Sequence, residues 1–154
     1  MHRFGAWTHP IVVVALSFAA ALSGCGDDGA AVPEACTEGD EELLVALRSA
    51  PGRVRVGEGR LSDCLSEEAD GDQLQLVGTS FVGAASRLAT RARREPDGRD
   101  ALELGYLVAA AHRGGDHTQG VHDELLRRLD QEVEPIDTSA RAYRRGKRAG
   151  RSAG

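Results

Sequence analysis

The segment Ala101–Ala111 reads ALELGYLVAAA and is apolar on almost every side. A surface helix carries one apolar stripe, whereas a helix that is apolar all round is buried. The segment includes the charged Glu103, and it is too short to cross a bilayer, which takes about 20 apolar residues. It therefore predicts the central, most buried helix of a small domain.

The segment before it has the most regular helical period in the chain. Between Asp72 and Arg94, apolar residues recur every three or four positions, which is typical of an amphipathic helix. Acidic residues open this segment and arginines close it, as the helix dipole favours. Small residues such as Gly83 and Gly105 would let this helix approach the central one closely.

A shorter helix is predicted earlier in the chain. Thr37 is followed three residues later by Asp40, a pattern that opens helices, and Pro51 would end the apolar face that follows. The residues Arg53–Val56 alternate like a strand but have no partner with matching alternation. We expect them to form an extended connection.

A fourth helix is predicted before Pro135. Gly114 and Gly115 end the central helix, and Asp116 or Thr118 can cap the next one. The resulting fold class is all-α, a small bundle of about four helices with short connections.

The N-terminal segment has the layout of an export signal. Arg3 precedes an uncharged run, Ile11–Leu22, which fits a signal-peptide h-region better than a membrane span. The run closes in Leu22-Ser23-Gly24-Cys25, which resembles the lipobox of bacterial lipoproteins. This resemblance implies cleavage before Cys25, acylation of its sulfur, and a lipid-anchored position on the extracytoplasmic face of the cell membrane.

The resemblance and the composition together divide the chain into four parts. Residues 1–24 would be the signal peptide, 25–35 the lipidated cysteine with a flexible tether, and 36–137 the helical domain. Residues 138–154 would be a basic tail, disordered or frayed because Gly146 and Gly150 weaken a helix there.

Two cysteines remain once Cys25 is assigned to the lipid. Cys36 and Cys64 would lie in a compartment that permits disulfides, and they do not form a Cys-x-x-Cys motif. We expect them to be joined.

Charge is divided unevenly along the chain. Residues 26–137 hold 24 acidic residues against 12 arginines, a net charge of −12, whereas the last stretch holds six basic residues and no acid. With few aromatics and an acidic body, nucleic acid is a poor partner. The basic residues are instead candidates for contact with a membrane surface: Arg141, Arg144, Arg145, Lys147 and Arg148.

The histidines of the mature chain lie together, between the third and fourth helices. His112, His117 and His122, with Asp116, could hold a divalent metal such as zinc if the connection is a tight hairpin. Their spacing matches no zinc signature, and the alternative is a solvated corner in which Asp116 caps a helix.

No motif for catalysis is present. The stretch Gly78–Gly83 lacks the glycine spacing of a nucleophile elbow, and there is no phosphate loop or dinucleotide fingerprint. The sequence therefore predicts no enzyme and no cofactor. Our first hypothesis is a lipid-anchored interaction or scaffold module that binds another envelope protein, and the alternative is a metal- or small-ligand-binding lipoprotein.

Overall fold

The computed structural model describes residues 32–65, 69, 71–116 and 120–154. The expected signal peptide, Cys25 and most of the expected tether lie outside these residues. The described part of the chain is mainly helical and contains one small β-hairpin. The all-α prediction is therefore confirmed, with five α-helices among the described residues in place of about four.

The helices and strands have the following bounds. The five helices are α1 (Asp40–Leu47), α2 (Gly71–Ala92), α3 (Arg99–Gly115), α4 (Val121–Val133) and α5 (Arg141–Ala153). The two strands are β1 (Arg55–Val56) and β2 (Gly59–Arg60), and two 3-10 turns cover Glu34–Cys36 and Leu61–Leu65.

Helix α3 is the centre of the domain. It contacts α2, α4, α5 and the Leu61–Leu65 turn, and every residue from Ala101 to Ala111 is buried. The one charged side chain in this run, Glu103, accepts a hydrogen bond from Arg99 at 2.7 Å. The prediction of a buried central helix is confirmed. Within the described ranges, no helix is long and apolar enough to cross a membrane.

Glycines bring α5 into backbone contact with α3. A Cβ atom added to Gly146 would lie 1.8 Å from the main-chain oxygen of Leu102, and one added to Gly105 would lie 2.3 Å from that of Tyr143. Real Cβ atoms do not approach other atoms so closely, so neither position can hold a larger residue without separating the helices. Gly150 makes a third contact of this kind, at 2.4 Å from the oxygen of Tyr106.

The expectation of a disordered or frayed tail over residues 138–154 is wrong. Residues 141–153 form α5, and Tyr143, Gly146 and Gly150 on its inner side are buried. Glycine does weaken an isolated helix, by about 1 kcal/mol relative to Ala. Here that cost is offset by packing, because the same glycines allow α5 to lie directly on α3.

The connection at Arg53–Val56 also differs from the prediction. Val56 pairs with Gly59 and Arg55 with Arg60, so β1 and β2 form a short antiparallel hairpin. Gly57 takes a positive φ of 58° in the turn, a conformation that glycine adopts without strain. The partner strand has too few residues to show an alternating pattern, which is why it was not anticipated.

Two predicted helix caps are replaced by glycines. Thr37 bonds to the main-chain oxygen of Glu34, and α1 begins after Gly39 instead. Asp116 lies at the end of α3, and α4 begins after Gly120, whose N–H donates to Asp123 at 3.2 Å. The other candidate cap, Thr118, lies outside the described residues.

The expected disulfide is present and ties down the start of the domain. Cys36 and Cys64 are joined, and both are fully buried. Because the bridge spans 28 residues of sequence, it would stabilise the fold by about 3 to 4 kcal/mol on the chain-entropy model. Val32 is also buried, so residues 32–35 belong to the packed domain and not to a flexible tether.

The contact between α3 and α5 predicts opposite effects for one substitution at two sites. We expect Gly146→Ala to lower the free energy of unfolding by about 2 kcal/mol, because the added methyl overpacks the contact with Leu102. Gly78→Ala is the matched control: its Cβ would meet only Leu125, at an ordinary 3.9 Å, so the gain in helix propensity should raise stability by up to about 1 kcal/mol.

Urea denaturation followed by circular dichroism measures both variants. Equal effects of the two substitutions would contradict the close backbone contact.

Candidate functional site

Helix α5 presents a continuous positive surface. Its six basic residues lie on its outer side and along its edges, and all are exposed except the half-buried Lys147. We call this surface the basic face, and it consists of Arg141, Arg144, Arg145, Lys147, Arg148 and Arg151. All five residues that the sequence marked for membrane contact are therefore placed on one helix.

The basic face is the largest group of cations without an ion pair on any one described helix. Other arginines without an ion pair, such as Arg53, Arg93 and Arg94, are scattered over the domain. Within the described residues, none of its six cations has a carboxylate within 4 Å. The arginines that do have such partners lie on α2, α3 and α4, and they are Arg87, Arg91, Arg99, Arg127 and Arg128.

These ion pairs are strong enough to perturb the acids. Hydrogen bonds from Arg127 and Arg128 lower the pKa of Glu124 to about 2, and Arg87 lowers the pKa of Asp40. On α5 the only such effect is weaker: the charge of Arg144 contributes to lowering the pKa of Asp137, without an ion pair within 4 Å.

A groove runs along one edge of the basic face, between α3, α4 and α5. It has a volume of about 680 Å³, which falls within the usual range of ligand pockets. Lys147 and Arg151 of α5 line one wall, and His112 and Arg113 of α3 line another. Arg113 donates a hydrogen bond to the main-chain oxygen of Gly154 at 2.7 Å.

Tyr143 lines the groove, and its hydroxyl makes no hydrogen bond to the described part of the protein. The side chain is 2% exposed, yet its hydroxyl has no hydrogen-bond partner in the part of the chain that the structure describes. The other tyrosine, Tyr106, accepts a hydrogen bond from the N–H of Val54 at 3.1 Å. Solvent reaches the Tyr143 hydroxyl, because Nε2 of His122 is the one fully buried side-chain polar atom without a partner among the described residues.

The surroundings of Tyr143 also change its acidity. Burial raises the pKa of its phenol to about 12, and the negative charge of Asp130 adds to this effect while Arg151 opposes it. The hydroxyl is therefore protonated, and available as a donor, over the whole physiological range.

The predicted histidine site is only partly described. His112 lies with its Nε2 atom 2.9 Å from Oδ1 of Asp130, and His122 is buried with no partner for its Nε2 atom. Among the residues that the structure covers, no three His, Cys, Asp or Glu side chains are arranged to hold a metal. His117 lies outside those residues, so the zinc site, which includes Asp116, stays a prediction.

Sequence reasoning missed the groove. It considered the basic residues only as a possible surface for lipid and did not connect them with Tyr143 or Asp130. One signal was available: Tyr143, Lys147 and Arg151 are spaced by four, which places them on one strip of a helix. That signal has meaning only once residues 141–153 are known to be helical.

Comparison with known proteins finds no match. No protein-family model fits the chain, and no curated protein or solved structure is detectably similar to it.

The raised pKa of Tyr143 predicts how the protein behaves in alkali. Because the folded state holds the phenol protonated, this group contributes stability in full below pH 10, the ordinary pKa of tyrosine, and loses that contribution as the pH rises toward about 12. Ultraviolet absorbance titration of the native chain minus that of Tyr143→Phe isolates the ionisation of Tyr143. A midpoint near 10 in this difference would contradict the buried environment.

Proposed function

We propose that the chain is a lipid-anchored module of the cell envelope, without catalytic activity, whose basic face lies against anionic lipid headgroups. Acylated Cys25 would hold the protein at the membrane. The acidic remainder of the domain would point away from the lipid, where it can meet another envelope protein. The observation that carries the proposal is the set of unpaired cations on α5.

The anchor is supported by the sequence at Leu22-Ser23-Gly24-Cys25. Each buried methylene of a lipid chain contributes about 0.8 kcal/mol, so one chain binds only marginally and two or three hold a protein stably. A second contact would then serve to orient the domain and not to hold it.

Contacts inside the domain support a position of α5 close to such an anchor. Ser62 donates a hydrogen bond to the main-chain oxygen of Gly154 at 2.9 Å, just after α5 ends. Two residues further, Cys64 is bonded to Cys36, near the point where the described chain begins. The N-terminal end of the domain and the end of α5 are therefore neighbours.

The distance from the anchor is short. Val32, the first described residue, follows Cys25 by seven residues, which span at most about 25 Å when fully extended. The domain would therefore remain within reach of the headgroups.

The energetics favour contact through the basic face. A cation close to an anionic membrane contributes about 1 kcal/mol. Because α5 is already folded and fixed on α3, binding would not require ordering of the backbone. The strongly acidic remainder of the domain would be repelled by the same surface, which gives the protein one preferred orientation.

The anchor predicts where the protein is found in cells. We expect Cys25→Ala to move the mature chain out of the membrane fraction, because the basic face alone binds reversibly and is screened by salt. Cell fractionation with a high-salt wash measures this. The matched control replaces Cys36 and Cys64 by Ala, which removes the disulfide and should leave the anchor intact. A Cys25→Ala chain that stayed in the washed membranes would refute the anchor.

The basic face predicts binding to anionic vesicles without the anchor. For the chain from residue 26 onward, we expect Arg144→Gln with Arg148→Gln to weaken binding about 30-fold, because two contacts of about 1 kcal/mol are lost. The matched control is Arg93→Gln with Arg94→Gln, which removes the same charge from exposed residues beyond the end of α2.

Cosedimentation with anionic and with neutral phospholipid vesicles measures both pairs. An equal loss in the control pair would show that net charge alone matters, and strong binding to neutral vesicles would exclude this mechanism.

A further inference from the structure

The groove between α3, α4 and α5 contains polar groups that the protein leaves unused. Tyr143, Lys147 and Arg151 lie on one strip of α5, and all three line the groove. Among the described residues, the two cations have no carboxylate within 4 Å and the Tyr143 hydroxyl has no hydrogen-bond partner. Three donors therefore face one space without an acceptor.

The other charged groups of the groove already form hydrogen bonds within the protein or lie at the edge of the groove. Asp130 is bound by His112 at 2.9 Å, and Arg113 donates to the main-chain oxygen of Gly154. Asp116 is exposed at the end of α3. Neither acid lies within 4 Å of Lys147 or Arg151, so the walls of the groove form no ion pair with this strip. The negative charge of Asp130 does act on Tyr143, and two cations stand against it on the strip.

The floor of the groove is apolar. Val108 on α3 and Val133 on α4 are both buried and line it, beside the ring of Tyr143. An apolar floor beside a cationic strip suits a ligand that combines an acidic group with a short hydrocarbon part.

We propose that this groove is a binding site for a small amphiphilic anion, whose carboxylate or phosphate is held by Lys147 and Arg151 and accepts a hydrogen bond from Tyr143. The apolar part of the ligand lies on Val108 and Val133. The ligand is either a free organic acid or the headgroup of a short lipid, and both present the same chemistry to the groove.

The strip is suited to this task because it is preorganised. Lys147 and Arg151 are four residues apart, where like charges repel in a helix, and an anion between them removes that repulsion. The contact of Gly146 and Gly150 with α3 fixes the backbone that carries both cations and Tyr143. Binding therefore costs little ordering of the protein.

This proposal does not rest on the membrane contact of the basic face. The groove uses the edge of α5 formed by Lys147 and Arg151, whereas vesicle binding is tested through Arg144 and Arg148. The two proposals can therefore fail separately.

The test uses the full chain in a neutral detergent, with hexanoate as the probe. Isothermal titration calorimetry measures the affinity, and nuclear magnetic resonance follows the ring signals of Tyr143. We expect hexanoate to bind and to shift those signals, and hexanamide, which lacks the charge, to bind at least about tenfold more weakly. Equal binding of the two, or no binding of hexanoate, would overturn the proposal.

Variants of α5 locate the site. Lys147→Gln with Arg151→Gln should weaken hexanoate binding at least about tenfold. Tyr143→Phe should also weaken it at least about tenfold, since one charge-assisted hydrogen bond is lost. The matched control is Arg144→Gln with Arg148→Gln, which removes the same charge from the outer side of α5 and should change the affinity by less than about twofold. If the control pair weakens binding equally, general attraction to the helix explains it and the groove is excluded.

A further probe distinguishes the two sources of the ligand. A short-chain phosphatidylglycerol below its micelle concentration presents a headgroup phosphate. Tighter binding of this lipid than of hexanoate, lost in Lys147→Gln with Arg151→Gln, assigns the groove to headgroups. Tighter binding of hexanoate, lost in the same variant, assigns it to free acids. If both probes bind and Lys147→Gln with Arg151→Gln does not change their affinities, they bind outside the groove and the proposal is refuted.

Discussion

The backbones of α3 and α5 touch, and most of the described structure depends on this contact. Glycines at 105, 146 and 150 remove the side chains that would keep two helices apart. Helix axes usually lie 8–10 Å apart because of the side chains between them. Where glycines remove these side chains, main-chain atoms of the two helices come into van der Waals contact, and many such contacts together hold the helices in place. The same contact buries both tyrosines of the chain, which come from the two facing helices.

This arrangement explains how α5 carries six basic residues without neutralising them. A helix with that charge and two internal glycines would not be stable alone. The contacts of its inner side with α3 stabilise α5. Its outer side is therefore not needed for folding and can be uniformly positive. On the other helices most arginines pair with acids, as in the contacts of Arg87 with Asp40 and Arg91 with Asp100.

The parts of the fold that follow from local chemistry could be predicted from the sequence. The apolar segment Ala101–Ala111 indicated the central helix, and the periodic segment 72–94 indicated α2. Two cysteines remain once Cys25 is assigned to the lipid, and this indicated the Cys36–Cys64 bridge. What could not be predicted depends on tertiary contact.

Gly146 is the clearest example of that limit. Glycine weakens an isolated helix and strengthens a close helix pair, and the sequence does not show which effect applies. The candidate site was missed for the same reason, because Tyr143, Lys147 and Arg151 share a strip only when α5 is folded. The hairpin of β1 and β2 was missed because two residues cannot reveal an alternating pattern.

The position of the disulfide has a mechanical consequence. A pull on the N-terminal end of the domain would reach Cys36 within a few residues of Val32. From there the covalent bond carries the load directly to the Leu61–Leu65 turn, which packs on α3. The hairpin and α1, which lie between the two cysteines in sequence, are bypassed. Tension applied at that end is therefore borne by the most deeply buried helix, and the weaker elements near the surface are spared.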